Sequence, residues 1–479
     1  PVCLDMTADV GTPVSVYARL SKSLPAFLFE SVTGGEHIGR YSFVGCGPKC
    51  EILAYDDETL IRHRDGSLET ISTPDDPLEI VKSRMAGFQA VPLPGMPRFH
   101  GGAVGFVGYD YIHRIEPSVQ MPEVDELGMP LLYYMIADRV VIFDHAHQRL
   151  RLCVNAFIEP VGQASASEVY DQSVEQLKEL SDNLTQGETL SPVMLEELPD
   201  VSVPEGNFSE ASFAHMVETC KEYIRAGDVI QVVGSQRFVA DYPQRSIDLY
   251  RALRVVNPSP YMFIIDSGDF SCVGASPEVH VRLTGDHCEL RPIAGTRPRS
   301  IDNQEDRALE EELLADEKEC AEHLMLVDLA RNDLGRVCVP GSVEVPEYMI
   351  VERYSHVMHI VSQVQGVLEK NYDAYDLMRA TFPAGTVSGA PKIRAMQIIA
   401  EQEKSRRGPY AGALGYFGFD GDLDSCIAIR TALLKEGKIY IQSGAGIVAD
   451  SVAANEYMET INKARAMLKA VALSRDIGQ

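Results

Sequence analysis

Tryptophan is absent from the 479 residues. At an ordinary usage of roughly 1%, about five would be expected. Also absent is any run of about 18 consecutive apolar residues, which excludes a membrane-spanning helix. The opening stretch "PVCLDMTADVGTP" has neither the basic block nor the apolar block of an export signal, and Pro1 reads as a processed or trimmed start. The ten cysteines form no CxxC pair, and the closest spacing, Cys46 and Cys50, fits no zinc-binding pattern. They are expected to be free thiols in a reducing cytoplasm. Positive charge is scarce, with 43 Lys and Arg against 70 Asp and Glu and a net charge of −27. Such a surface repels phosphate backbones and acidic membranes, so neither a nucleic acid nor a membrane is expected as a partner. It repels small anions too. An anionic ligand would need a local cluster of cations or a bound metal ion.

What is present describes a globular chain with an ample core, 45% of it apolar. Residues 1–160 read as a β-rich segment: "RYSFVGCGP", "CEILAYDDETLIRHRDGSLETI" and "RVVIFDHAHQRLRLCVNAF" alternate or run apolar between Gly and Asp turns. Residues 161–206 change character, with a helical pattern through Val169, Val174, Leu177 and Leu180 followed by the Pro- and acid-rich linker "TQGETLSPVMLEELPDVSVPEG". Residues 207–472 open with a helix from about Ser209, its apolar face at Phe213, Met216, Val217, Cys220 and Ile224, that stops at Gly227. Hairpins follow, among them "SCIAIRTALLKEGKIYIQSGAG" turning at Glu436-Gly437. Further helices are expected near 303–333, 372–380, 389–403 and 451–471. The fold class is α+β: large antiparallel sheets with helices packed outside.

Several constellations stand out, each with a plainer alternative. In the helix 316–333, Asp316 and Glu319 have capping-box spacing, and Glu322 lies one turn before the apolar "LMLVDLA", where a buried carboxylate needs a cation or hydrogen-bond donors. An ordinary pair with Lys318 is the alternative. In the last helix Glu456, Glu459 and Lys463 share one face; it is either solvated or, with Glu322, turned toward a hard cation such as Mg²⁺. Arg430 lies in the apolar strand "SCIAIRTALL" beside Ala428 and Ala432, which leave room for an anionic ligand. The Gly444–Gly446 amides suit a carboxylate, and the Gly389-Ala390-Pro391 helix start, with Pro391 at its first position, suits an anion. "GPYAGALGYFGF" matches neither the dinucleotide fingerprint nor a P-loop. His356 and His359 lie in an apolar segment where a satisfied core histidine is the common outcome.

The stretches "RPIAGTRPR", "ECAEHLMLVDLARNDLGRV", "ERYSHVMHIVSQVQG", "TFPAGTVSGAPKIRAMQII", "GPYAGALGYFGFDGDLDSCIAIRTAL" and "SGAGIVADSVAANEYMETINKARAM", in this order, resemble the chorismate-utilising enzymes, in particular their anthranilate-forming branch. "FLFESVTGGEHIGRYSFVG" resembles the regulatory segment of the same branch. The resemblance implies a sandwich of two antiparallel sheets flanked by outer helices. It implies that Glu322 and Glu459 hold Mg²⁺, with Glu456 close by, against the ring carboxylate of chorismate. Gly295, Thr296, Tyr410, Arg430, Gly444, Ala445, Gly446 and Lys463 would orient the two carboxylates, with Thr386 facing the substrate. Glu278 in "GASPEVH" would be the general acid for the departing C4 hydroxyl, and His359 would support the later elimination of pyruvate.

Two positions separate the sister reactions within the family. Water-adding members, which make isochorismate or salicylate, carry a lysine base where this chain has Gln231. Aminodeoxychorismate-forming members carry a lysine in "PIKGT", where this chain has Ala294. Ammonia would come from a separate glutaminase subunit, so a hetero-oligomer is expected; no cysteine here lies in a Gly-rich nucleophile elbow. Feedback inhibition by tryptophan is implied by Glu30, Ser31 and Arg40 with Pro260, Tyr261 and Met262. Arg291, Arg297 and Arg299 are expected to pair with the neighbouring acidic helices. A catalytically silent amino-acid sensor on the same fold is the alternative from another class.

Overall fold

The structure is a computed structural model that describes residues 1–479 except 10, 32–38, 89, 92, 159–164, 187–189, 192–200, 355, 356, 478 and 479. Most of the acidic linker, the segment after Ser31 and His356 therefore lie outside the described residues. Two sheets dominate, one of eleven strands and one of twelve. Every described strand pair in them is antiparallel.

Both halves of the chain contribute to both sheets. Ala26–Glu30 pairs with Tyr261–Asp266 in the first sheet, and Gly102–Val107 pairs with Ala413–Gly418 in the second. The period-2 alternation of these strands explains the layering. In Ala26–Glu30, Phe27 joins one apolar cluster while Ala26 and Leu28 join another. In Gly102–Val107, Val104 and Phe106 share Phe27's cluster, whereas Ala103 and Val107 point away from it. That shared cluster draws side chains from both sheets and is the filling of a sandwich. The outward sets of the first sheet pack with helices Pro13–Leu20, Ala166–Thr185, Ser246–Val256 and Ala453–Ile477. Those of the second pack with Leu78–Ala86, Glu317–Gly335 and Ala374–Thr381, while Glu210–Ala226 and Lys392–Glu403 lie against the strand Gln231–Asp241 of the first. The expected α+β sandwich with outer helices holds. Among the described residues no helix is long and apolar enough to cross a membrane.

Local chemistry sets the element ends. Ser209 accepts the Ser212 amide to start Glu210–Ala226, and Gly227 at φ 83° ends it in the left-handed region. Glu436 and Gly437, at φ 52° and 71°, make the two-residue turn between Thr431–Lys435 and Lys438–Ile447. Asp316 is extended, at ψ 103°, and accepts the Lys318 and Glu319 amides. It thereby splits the expected 303–333 region into Asn303–Ala315 and Glu317–Gly335.

Two local expectations are corrected. Arg430 does not lie inside a strand: Leu423–Ile427 belongs to the second sheet and Thr431–Lys435 to the first, so 428–430 cross between the sheets. A continuous apolar run cannot reveal that it changes sheets midway. Pro391 is not the first helical residue but precedes it, at ψ 139°, and Gly389–Ala390 pairs with Gln231 and Val232 at a sheet edge. The Ala390 carbonyl accepts the Ile230 amide, which ties this turn into the sheet.

Candidate active site

The strand Lys438–Ile447 supplies the floor of the site, and its glycines are required by close neighbours. A Cβ on Gly444 would stand 2.8 Å from the Tyr410 hydroxyl, and one on Gly446 2.7 Å from Gln231 Nε2. Gln231 Nε2 donates to Glu322 Oε1 at 2.8 Å. Lys463 Nζ donates to the Gly444 carbonyl at 3.0 Å and pairs with Glu459 Oε1 at 2.6 Å. Glu322 thus lies beside this strand at Gly446, while Glu459, 137 positions later in the chain, is linked to it through Lys463 at Gly444, two residues or roughly 7 Å along the strand. Ala445 lies between them, buried.

Each acid has a companion one helical turn earlier. Burial raises the Glu319 carboxyl above its usual range and the charge of Glu322 adds to this. Burial likewise raises Glu456, with the Ser451 hydroxyl acting against it and Glu459 adding. Lys318, on the first of these helices, acts on Glu456 on the other, so the two acidic faces look toward one another. Glu319 escaped sequence reasoning, although its three-residue spacing to Glu322 repeats that of Glu456 to Glu459. Among the described residues no three potential ligands already stand close enough to hold a metal ion. The donor set is nevertheless one of hard carboxylate oxygens that repel each other, which suits Mg²⁺ bound by one or two protein carboxylates with water and substrate completing its shell.

Opposite the acids stands Arg430, a non-glycine residue at φ 51°. Such strained backbone persists where the surroundings over-determine it. Among the described residues no side chain or carbonyl is hydrogen-bonded or ion-paired to its guanidinium. Burial weakens its hold on its proton, while the nearby Tyr410, Glu278 and Glu459 act the other way. Burial also pushes the Tyr410 hydroxyl up to about 12, which keeps it a neutral donor. A half-buried cation with no anion of its own is a place for one.

Glu278 is 5% exposed and accepts the Thr386 hydroxyl on Oε1 at 2.6 Å. Burial pushes its carboxyl up to about 8, against the Thr386 hydrogen bond and the charges of Arg430 and Lys463. It therefore carries a proton at neutral pH. Across the site, Gly295 takes φ 70° in a bulge that shifts the register between Ala294 and Thr296 and sets Thr296 opposite His359. His359 Nδ1 lies 3.0 Å from both the Gly295 carbonyl and the Thr296 hydroxyl oxygen. A carbonyl only accepts, so the ring proton is assigned to Nδ1, which leaves Nε2 bare. Burial lowers the imidazole pKa, with the Gly295 carbonyl opposing and Arg430 assisting, so the ring is neutral near pH 7.

A neutral acid, a neutral imidazole, an unpaired guanidinium and facing carboxylates suit a small polyanion. The model of chorismate binding enzymes matches residues 24–469. The chain belongs to that family. The anthranilate synthase component 1 of Acetivibrio thermocellus is 45% identical over 475 residues, covering 98% of this chain and 95% of that protein. The solved anthranilate synthase component I of Streptococcus pneumoniae superposes with a TM-score of 0.76 at 38% identity, covering 97% of this chain and 99% of that one. The menaquinone-specific isochorismate synthase of Escherichia coli has a TM-score of 0.71 at 19% identity, covering 100% and 94%, a likeness of fold alone. One fold carries different chemistries, so the reaction has to be argued from the residues of the site.

In this chorismate binding enzyme a further network supports the site. Arg407 is 1% exposed and pairs with Glu403 at 2.6 Å. It also donates to the carbonyls of Val387, at 2.8 Å, and Val233, at 2.7 Å. Glu403 Oε1 in turn accepts the amide and hydroxyl of Ser235. The pair joins the strand carrying Gln231 to the turn carrying Thr386. Its sequence signal was only an i,i+4 Glu–Arg spacing at a helix end, which is common on solvated surfaces. The arginines beside Gly295 are structural: Arg297 pairs with Glu312 and Asp316, and Arg299 with Asp306, in the acidic helices as expected. Arg291 departs from that expectation and pairs with Glu352 on a strand.

Gly446→Ala is expected to push Gln231 off Glu322. Losing a hydrogen bond to a charged group costs about 1.5–3 kcal/mol, so kcat/KM for chorismate should fall roughly ten- to a hundredfold. Steady-state kinetics of the folded variant check this; an unchanged value contradicts the tie between Gln231 and Glu322.

The six residues Glu30, Ser31, Arg40, Pro260, Tyr261 and Met262 all line a second cavity of about 330 Å³. Its other walls combine aromatic rings, among them Phe29, Phe43 and Tyr416, with the charged Arg98, Arg282 and Asp424. Glu30 accepts Tyr250 Oη at 2.6 Å, and Arg40 pairs with Asp144 at 3.0 Å. Asp424, which accepts the Tyr261 hydroxyl at 2.8 Å, lies on the strand Leu423–Ile427. The Ile427 amide of that strand donates to the Glu278 carbonyl at 3.0 Å.

Proposed function

We propose that this chain converts chorismate and ammonia to anthranilate and pyruvate, with Mg²⁺ as cofactor. The observation that carries the reading is Glu278: a carboxylic acid held protonated at neutral pH beside unpaired Arg430. Arg430 and Lys463 orient the two carboxylates of the substrate, and the Tyr410 hydroxyl adds a neutral donor. When bound by Glu322 and Glu459, Mg²⁺ supplies the positive charge that fixes the ring carboxylate. Ammonia attacks ring C2 while the C4 hydroxyl departs as water with the proton of Glu278. His359, with Nε2 bare, takes up the C2 proton as the ring C3–O bond breaks and the ring aromatises, and the enolpyruvate that leaves takes that proton from the imidazolium to become pyruvate. Gln231 is a neutral amide engaged with Glu322, so it cannot activate water, and Ala294 offers no amine nucleophile. Both facts speak against the isochorismate, salicylate and aminodeoxychorismate products.

The deciding assay incubates the chain with chorismate, Mg²⁺ and ammonium and follows anthranilate fluorescence, with the product mass measured in parallel. Folded protein that yields no fluorescence, or a mass of isochorismate or aminodeoxychorismate, sinks the reading. Ammonium should serve where glutamine does not, because a glutaminase subunit is the partner that releases ammonia in the heteromer. Ten free thiols suit work in a reducing cytoplasm.

The second cavity is the tryptophan inhibitor site in this reading. The strand from Asp424 to Ile427 supports coupling between the two cavities, which requires tryptophan to favour one of two global states. Glu30→Gln keeps the bond from Tyr250 but removes the charge offered to an amino group. It should raise the inhibitory tryptophan concentration at least about tenfold, a loss of about 1.4 kcal/mol, and leave the uninhibited rate within about twofold. Inhibition curves for both proteins test it; unchanged inhibition removes Glu30 from the site.

A further inference from the structure

We propose that Cys3 and Cys153 form an oxidisable thiol pair at which a small hydroperoxide drives formation of a disulfide across the edge of the first sheet. The inference does not depend on the chorismate reading. Among the described residues the strand Val2–Thr7 ends its sheet and pairs with Arg149–Val154 alone, in a register that sets Cys3 opposite Cys153. Directly opposed residues of an antiparallel pair share a face, with Cβ atoms about 4.5–5.5 Å apart. A disulfide needs about 3.5–4.5 Å. An edge strand, free on its outer side, can close that difference. Cys153 Sγ donates to the His100 carbonyl at 3.5 Å, and each thiol acts electrostatically on the other across the pair.

The members of the pair differ in the way a redox site needs. Cys3 is exposed, whereas Cys153 is 0% exposed. The adjoining Cys153 thiol lowers the Cys3 thiol to about 7, against burial, and the Arg151 guanidinium assists. Arg151 is anchored there by Asp5, at 2.6 Å and 2.8 Å, and by the Gly95 carbonyl at 3.0 Å. The adjoining Cys3 thiol, together with burial, holds the Cys153 thiol protonated. Met96 Sδ lies 3.9 Å from Cys3 Sγ, a second soft atom beside the reactive one. Cys288 and Cys338 also adjoin, but both are buried, at 0% and 4% exposure, so neither meets an oxidant directly.

The chemistry balances in two steps. The Cys3 thiolate attacks the outer oxygen of the hydroperoxide, the O–O bond breaks, and the departing alkoxide takes a proton to become an alcohol. This leaves a sulfenic acid on Cys3. The Cys153 sulfur then attacks the Cys3 sulfur, the S–O bond breaks, and the hydroxide leaves as water with the Cys153 proton. Two thiols and one hydroperoxide give one disulfide, one alcohol and one water.

The test treats the full native chain with one equivalent of tert-butyl hydroperoxide and maps peptides by mass spectrometry without reduction. The expected result is a Cys3–Cys153 linked peptide, reversed by dithiothreitol, whose formation rate rises with pH and levels off above about 7. Cys153→Ser should leave a sulfenic acid on Cys3 that dimedone traps. Cys3→Ser should abolish the fast phase of thiol loss while anthranilate formation stays unchanged. A Cys288–Cys338 link appearing first, sulfinic acid on Cys3 of the unaltered chain without a link, or undiminished thiol loss in Cys3→Ser would each overturn the proposal.

Discussion

Glu278→Gln should lower kcat for anthranilate formation by about 10²- to 10⁴-fold, the range that a positioned general acid contributes. The amide has the shape of the carboxyl and still accepts the Thr386 hydroxyl, but it has no proton to give to a departing hydroxyl. Chorismate binding should change little, because Arg430 and Lys463 remain. The unaltered enzyme should also lose activity as pH rises through about 8, where the Glu278 carboxyl ionises, once rates are expressed per unionised ammonia. The variant should lack that limb. Stability supplies a control of opposite sign. Between the ordinary value of 4.5 and about 8, the folded chain holds a proton on Glu278 that the unfolded chain has released. Folding stability from this group is therefore full below that window and lost as pH rises through it. Removing the titration should leave Glu278→Gln at least as stable as the parent at pH 8 in denaturant melts. Equal turnover in both proteins would remove Glu278 from the chemistry; lost turnover together with lost stability would make it a packing residue.

Much of this arrangement was legible because it depends on local spacing. The hairpin at Glu436-Gly437, the helix between Ser209 and Gly227 and the α+β class follow from turn chemistry and periodicity. Motif resemblance brought Glu278, Thr386, Gly295, Thr296 and His359 into one proposed site; in the fold Thr386 donates to Glu278, and His359 stands against Thr296 and the Gly295 carbonyl. The rest depended on which strand lies beside which. Strands buried on both faces read as continuous apolar runs, so "SCIAIRTALL" gave no sign that residues 428–430 pass from one sheet to the other. That passage, rather than strand alternation, is what turns Arg430 toward Glu278. Likewise Gly389-Ala390-Pro391 carries the composition of a helix start, but edge pairing with Gln231 takes up its backbone. Glu319 was passed over as the second half of a capping box. Asp316 caps the helix by itself, and the Glu319 carboxylate would lie 3.3 Å from a Cβ on Gly295.

The Glu403–Arg407 pair gives the second large effect, and it separates stability from catalysis. Glu403→Leu should cost about 3–5 kcal/mol in folding free energy, the usual result of leaving one buried charge unpaired. Here the stranded group is a guanidinium with 1% exposure that retains carbonyl contacts and the faces of two rings, the nearer being Tyr109 at 4.5 Å. The Ser235 amide loses its acceptor as well. Glu403→Leu with Arg407→Met removes both charges, and apolar replacement of a buried pair is often neutral or stabilising, so much of the loss should return. Activity should not return with it. Arg407 ties the Val387 carbonyl, beside Thr386, to the Val233 carbonyl, two residues from Gln231, and its guanidinium lies 5.6 Å from the Tyr410 ring centroid. Without that tie, Thr386, Gln231 and Tyr410 are no longer held against Glu278, Glu322 and Gly444. A misplacement of about 1 Å can cost on the order of 10²-fold in rate. Denaturant melts and steady-state kinetics on the two variants decide the matter. A double variant that recovers both stability and kcat would reduce the pair to a dispensable ion pair in the core.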